Sequence, residues 1–380
     1  MVYITVKQPV MYRQMTLEEL LFSDTSKSIV VNSNESNTRT NRYETLHPRF
    51  LNLVNTTKLI DILEEFNSSV SELRNANREK LYTTFHVPKK SGHGYRRIDA
   101  PCGELMEALR KLKLIFENDF HALYHTSAFA YIKNRCTIDA VKRHQANESK
   151  WFGKFDLSNF FGNTTMDFVL QQFAMIFPFS EVMKTERGMS ALRTALDLAF
   201  LNGGLPQGTP VSPIITNIMM IPIDFKLANG FRDFNNQSFV YTRYADDFIV
   251  SSRTDFDYKS VEKFIVDTLN EFSAPFALNP EKSRYGSSAG RNWNLGVMLN
   301  KDNEITVGAK RKREFQAMLS NYVLDRKNGM PWSLEDVQIL DGHRNYYRMV
   351  EGETIDKIVA HTGAKYGVNI VQMLKEDLRA

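Results

Sequence analysis

Cysteine is almost absent from this chain: Cys102 and Cys136 are the two in 380 residues. Two thiols cannot staple a disulfide scaffold or build a cysteine-based zinc cluster, and they suit a reducing compartment. Both are expected to be buried rather than nucleophilic. Nowhere does the sequence run to the roughly 18 consecutive apolar residues that a membrane span needs. The opening MVYITVKQPVMYRQ is broken by Lys7, Gln8 and Pro9, so no signal peptide is expected and a cytoplasmic protein with no membrane partner is. Gly92-His93-Gly94 lacks the third glycine of a dinucleotide fingerprint, and no nucleophile elbow supports Ser/His/Asp chemistry. His121 and His125 lie four apart without a Glu or Cys in metal-ligand register. A strong excess of one charge is missing too. Lys and Arg number 48 against 44 Asp and Glu, and the resulting +4 permits a nucleic-acid partner without arguing for one.

Apolar residues, by contrast, are plentiful. Hydrophobic residues make up 42% of the chain and aromatics 12%, which excludes a mainly disordered polymer. The length allows two to three domains of ordinary size. Val2 to Val6 is strand-like, Met15 to Leu21 carries a helical pattern, and Ser23 to Thr40 reads as a mobile Ser/Asn-rich loop. Leu59, Ile60, Leu63 and Phe66 keep helical spacing. Leu81 to Val87 and Tyr95 to Ile98 read as paired strands around a Gly-containing turn, with a helix over about 104–120 behind them. Further helices are expected over 168–177 and 189–200, and one from Ile214 capped by Ser212 ahead of Pro213. Beyond Lys310 the pattern is helical, with a capping signal at Ser333 to Asp336.

The chemistry sits in the acids. Phe239 to Tyr244 and Phe248 to Ser252 are apolar strands that flank Ala245-Asp246-Asp247. Two carboxylates about 4 Å apart repel by roughly 4 kcal/mol at an effective dielectric near 20. A solvated turn would tolerate this; a hard divalent cation would remove it. Trp151 to Leu157 is another apolar strand, and it also ends in an acid, Asp156. Three acids on neighbouring strand ends could hold two magnesium ions, the arrangement of two-metal phosphoryl transfer.

At this point several blocks, in one order, carry a resemblance. Tyr244-Ala245-Asp246-Asp247 resembles the YADD hairpin of reverse transcriptases. FHVPKKSGHGYRRIDAP (85–101) is similar to their fingers hairpin, KFDLSNFF (154–161) to the first catalytic block, and LPQGTPVSPIITN (205–217) to the block with a nucleotide-contacting glutamine. Residues 279–284 and NLGVMLN (294–300) resemble the later palm blocks. The resemblance covers about 80–350. It implies an α+β right-hand polymerase fold with fingers, a palm whose antiparallel sheet packs on helices, and a helical thumb. The expected division is an N-terminal extension to residue 80, fingers over 81–150, palm over 151–305 and thumb over 306–380.

The resemblance also implies roles. Asp156, Asp246 and Asp247 match the metal-binding aspartates, with the Leu157 carbonyl as a further ligand to Mg2+; Asp246 is the closer ligand and Asp247 the auxiliary one. Lys90 and Arg96, with Arg97 as fallback, would grip the incoming deoxynucleotide triphosphate. Phe161 matches the steric gate against a 2′-hydroxyl, with Phe160 in the core, and Gln207 lies beside the sugar and base. Lys282 is a general acid toward pyrophosphate or a surface lysine of its turn. Lys310, Arg311, Lys312, Arg313 and Arg344 would meet the template–primer duplex. Between Lys89 and Lys150, 12 basic residues against 7 acidic ones suit a template-facing surface.

About thirty residues follow the GHRNYY segment at 342–347, too few for an RNase H or integrase domain. That favours a compact bacterial enzyme, a retron or a defence-associated, abortive-infection type acting against phage. The retron Asn-Ala-x-x-His element becomes Asp139-Ala140-Val141-Lys142-Arg143-His144, and Val-Thr-Gly becomes Asn294-Leu295-Gly296. These departures favour an antiphage enzyme that copies a dedicated structured non-coding RNA into cDNA, giving an RNA–DNA product. Alternatives are a retron enzyme, a template-independent or protein-primed polymerase, and a non-enzymatic RNA-binding effector, the last opposed by the intact aspartates. A homo-oligomer or a partner defence protein is left open.

Overall fold

A computed structural model of the chain describes residues 53–88, 94–120, 124–232, 234, 237–288 and 296–379. The expectations for the first 52 residues, for Lys90, for Gly92 and for His121 lie outside these. Helix α1 (Thr56–Ser69) buries Leu59, Ile60, Leu63 and Phe66, the stripe read from spacing, and Asn55 caps it by accepting from the Lys58 N–H at 3.0 Å. Strands β1 (Tyr82–Pro88) and β2 (Tyr95–Pro101) form an antiparallel hairpin, and α2 (Gly103–Leu114) follows. Next come α3 (Thr137–Ala146) and β3 (Trp151–Asp156), then the short α4 (Phe160–Asn163).

Helices α5 (Met166–Phe173) and α6 (Glu186–Asp197) start earlier than apolar spacing alone suggests, because threonines cap them. Thr165 accepts from the Phe168 N–H at 3.3 Å and Thr185 from the Gly188 N–H at 3.0 Å. Helix α7 (Ser212–Met219) corrects the Ser212 expectation. Ser212 is already inside the first turn, and its N–H is taken by Thr209 Oγ1 at 3.2 Å, so the hydroxyl that serves this end comes from three residues upstream. Helix α8 (Ile221–Arg232) continues the layer.

Strands β4 (Phe239–Tyr244) and β5 (Asp247–Ser252) then form the second hairpin, followed by α9 (Tyr258–Glu271) and β6 (Arg284–Ser287). The sheet order is β4-β5-β3-β6, antiparallel throughout. Every residue of β5 is buried, because both faces of this inner strand are covered: Phe248 and Val250 join the main core, and Ile249 packs with Val141, Phe152 and Val297 on the other side. Phe155, Phe248, Val250, Ile215, Leu227 and Ile265 belong to one core that joins the sheet to its helices.

After the short pair β7 (Met298–Leu299) and β8 (Ile305–Thr306), the chain is helical: α10 (Ala309–Lys327), α11 (Leu334–Tyr366) and α12 (Ile370–Asp377). These helices have a core of their own around Phe315, Leu319, Tyr322, Leu340 and Ile355. Ser333 caps α11 by accepting from the Asp336 N–H at 3.2 Å. Midway along α11, Glu351 leaves helical geometry. Its carboxylate takes the Val307 N–H and the Lys312 ammonium, both at 2.9 Å. The architecture is the expected α+β class, an antiparallel sheet packed on helices with a helical unit after it. Among the described residues no helix is long and apolar enough to cross a membrane.

Candidate active site

The register of β3 on β5 puts Asp156 opposite Asp247, at one end of two adjacent strands. Tyr244 pairs with Asp247, so the β4–β5 turn contains just Ala245 and Asp246. Such tight turns need positive φ, and Ala245 supplies it at 58° although it is not a glycine. The Leu157 N–H donates to the Asp246 carbonyl at 3.1 Å, which ties the turn to the end of β3. All three acids therefore share one electrostatic neighbourhood.

That closeness shows in their protonation. Burial, then Asp247, then Asp156 push the Asp246 carboxyl up to about 6. Asp247 is raised too, chiefly by burial, against the pull of Lys154. Lys154 Nζ lies 2.6 Å from Asp247 Oδ2, with both side chains mostly buried. Lys282 Nζ reaches both oxygens of Asp156, at 3.0 and 3.2 Å. Asp247 Oδ1 is buried and finds no hydrogen-bond partner among the described residues.

Around the acids, Phe160 is buried and Phe161 half-buried, their rings edge-to-face at 5.6 Å. The Phe161 carbonyl accepts from the Leu205 N–H at 3.0 Å, and a Cβ on Gly204 would stand 2.2 Å from the Gly162 carbonyl oxygen. Backbone approach this close demands glycine. Gln207 is half-buried, and its carbonyl accepts from the Asp99 N–H at 2.7 Å. Gly208, at φ 117°, packs on Ile98 and Asp99. The hairpin β1–β2 is thereby docked on the glutamine loop. Arg96 is exposed on that hairpin, whereas Arg97 is ion-paired to Asp99 at 2.9 Å.

Several residues behave otherwise than their spacing suggests. Arg311 donates to the Gly296 carbonyl, Lys312 holds Glu351, and Arg344 is paired with Asp341 at 2.8 Å. Lys310 and Arg313 are exposed. Cys102 is exposed and Cys136 half-buried, a correction to the buried thiols expected. Both sit at helix N-caps, positions at the surface end of α2 and α3, and Cys136 shares a capping box with Asp139. His125 is buried, and its Nδ1 accepts from the Ser127 N–H at 3.2 Å, a structural contact.

Two residues escaped the sequence reading. Lys154 lies two before Asp156, and the period-two rule could have placed both on one strand face. Arg243 is fully buried beneath the YADD turn. It pairs with Asp224 through three hydrogen bonds of 2.7–3.1 Å and reaches the Ala245 carbonyl at 3.2 Å. Tyr241 adds its hydroxyl to Asp224 at 2.8 Å.

A family model described as reverse transcriptase (RNA-dependent DNA polymerase) matches residues 87–315, more than half of the chain. The chain belongs to the reverse transcriptase family. Its fold is the right-hand polymerase fold, and its activity is RNA-directed DNA polymerisation, with an RNA template and nucleotide substrates. Among curated proteins it is similar to the retron Ec73 reverse transcriptase of Escherichia coli, at 29% identity over 62% of this chain and 73% of that one. The retron Ec83 reverse transcriptase of the same organism is 24% identical over 78% of this chain and 90% of that one. Among solved structures, an apo telomerase from Candida tropicalis, truncated from the C-terminal domain, aligns at 12% identity with a TM-score of 0.40. The alignment covers 62% of this chain and 58% of that one, so this chain spans less than two thirds of its length.

Reverse transcriptases use divalent metal ions, and the donors here fit such ions. They are hard carboxylate oxygens, the charge of Asp156 adds to the upward shift of Asp246 and Asp247, and one buried oxygen of Asp247 has no partner among the described residues. Among the described residues, however, no three His, Cys, Asp or Glu side chains form a ready-made cage. Lys154 and Lys282 hold two of the carboxylates instead.

Proposed function

We propose that this reverse transcriptase copies a dedicated structured non-coding RNA into cDNA, using two Mg2+ ions, in antiphage defence. The observation that carries the site assignment is the Asp156–Asp247 register with Asp246 beside it, its carboxyl raised to about 6. Asp156, Asp246 and Asp247, with the Leu157 carbonyl, would hold the metal. Bound there, divalent ions would activate the attacking hydroxyl and steady the leaving pyrophosphate. Arg96 and Lys90 grip the triphosphate, while Arg97 serves the hairpin through Asp99. Lys282, held on Asp156 at 3.0 Å, would hand its proton to the departing pyrophosphate. Lys310 and Arg313 offer charge to the duplex backbone. Residues 81–150, 151–305 and 306–380 then act as fingers, palm and thumb. The names of its curated relatives favour a retron as the second reading.

The test is direct. Purified with its bound RNA and given magnesium and labelled deoxynucleotides, the protein should make DNA that is free of protein after phenol extraction. No incorporation, or incorporation insensitive to RNase, would sink the proposal; label that stays with protein would point to a protein primer.

Phe161→Ala carries a separate expectation. With the ring removed, the clash with a 2′-hydroxyl disappears, and discrimination against ribonucleotides should fall on the order of tenfold to a hundredfold, about 1–3 kcal/mol. Competing labelled dCTP and CTP on one template measures it. Unchanged sugar selectivity would move the gate elsewhere.

A further inference from the structure

Tyr131 is held in a backbone conformation that suits it badly. Its φ is 59°, in the left-handed region, where a bulky side chain is an outlier. Asn134, three residues on, shows a similar φ of 63°, but asparagine tolerates it. A turn alone would be satisfied by glycine or asparagine at 131. The ring is also 51% exposed, so core packing does not explain it either. Strain of this kind persists only where the surroundings over-determine it, and it gathers at functional sites.

The surroundings do over-determine it. Arg243 donates its N–H to the Ser127 carbonyl at 2.7 Å and accepts from the Phe129 N–H at 2.9 Å, a parallel bridge centred on Ala128. Asn217 Nδ2 holds the Ala130 carbonyl at 2.7 Å. Arg135 holds the His125 and Ala128 carbonyls, both at 2.7 Å. At the bridge the two segments run in the same direction. Tyr131 follows Ala128 by three residues, as Asp246 follows Arg243. Burial first, then Asp246 and Tyr244, raise the phenol's pKa and Arg96 opposes them, so the ring stands within electrostatic range of the catalytic turn that the Ala128–Arg243 bridge already brings beside its segment.

We infer that Tyr131 is an aromatic platform for nucleic acid, its ring packed against the terminal base pair of the primer–template duplex at the catalytic turn. The inference rests on the polymerase reading above. A tyrosine there offers a flat apolar face on which a base can stack, beside the turn that carries the catalytic acids.

The experiment uses the full chain and a primer–template with 2-aminopurine at the primer terminus. Duplex binding should quench the fluorophore in the wild type. Tyr131→Leu, which removes the ring, should lose the quench and raise KM for primer–template about tenfold, the loss falling on KM rather than kcat. Tyr131→Asn is the control for folding, because asparagine relieves the left-handed strain: it should melt no lower than wild type and bind as weakly as the leucine variant. Tyr131→Phe, which keeps the ring, should restore the quench. Wild-type quench and affinity in Tyr131→Asn would overturn the inference. Quench and binding need no turnover, so a wild type that binds duplex but never extends it would instead defeat the polymerase reading.

Discussion

Asp246→Asn is expected to abolish DNA synthesis and, in metal-free protein, to raise the melting temperature. The two effects have one origin. Losing an anionic oxygen at the metal site removes several kcal/mol of transition-state stabilisation, on the order of a thousandfold or more in kcat. The same oxygen is a burden on the fold. The Asp246 carboxyl is lifted from 3.8 to about 6, by burial first and then by Asp247 and Asp156. A raised acid pKa means that the folded state holds the proton more tightly than the unfolded chain. This carboxyl's own contribution to stability is therefore greatest below about 4 and is lost as pH rises through about 6. Two units would amount to about 3 kcal/mol; partial solvent access reduces this to roughly 1–2 kcal/mol at pH 7. Asparagine carries no such charge. In chelator, the variant should gain several degrees at pH 7 and little at pH 4.5, while divalent ions should stabilise the wild type more than the variant. Equal polymerisation by the variant, or identical melting curves at both pH values, would remove Asp246 from the account.

Much of this site was legible because strands announce their faces. The apolar runs on either side of Ala245-Asp246-Asp247 gave both strands and the turn, and the run ahead of Asp156 gave a third strand. Period-two alternation says which residues share a face but not which strand lies next door, so the pairing of Asp156 with Asp247 had to come from the structure. Lys282 follows the same rule, meeting Asp156 across 126 positions of chain. Helix ends were read less well than helix interiors, because the hydroxyls of Thr165, Thr185 and Thr209 lie outside the apolar periodicity that marks the helix. The basic run at 310–313 looked uniform in one dimension. On a helix its members spread around the axis, so Arg311 and Lys312 turn to Gly296 and Glu351 while Lys310 and Arg313 meet solvent.

Arg243 was the residue least available to sequence reasoning, and its removal is expected to destabilise the protein most. A charged residue two positions before a turn reads as a strand end in water. Here its guanidinium is 1% exposed and faces Asp224, which is 0% exposed. Arg243→Met leaves that carboxylate buried without its partner, at a loss of about 3–5 kcal/mol. Urea unfolding should show it as a lower midpoint with little change in slope. Arg243→Met with Asp224→Leu should recover most of the stability, because the orphaned charge goes as well. It should not recover full activity. The Ala245 carbonyl would still lack its donor, and that carbonyl sits in a turn held at φ 58°, one residue from Asp246. A double variant as stable and as active as wild type would reduce the pair to core filling. A stable but slow one would mean that the buried cation keeps the catalytic turn in shape, with its stability and its geometry separable.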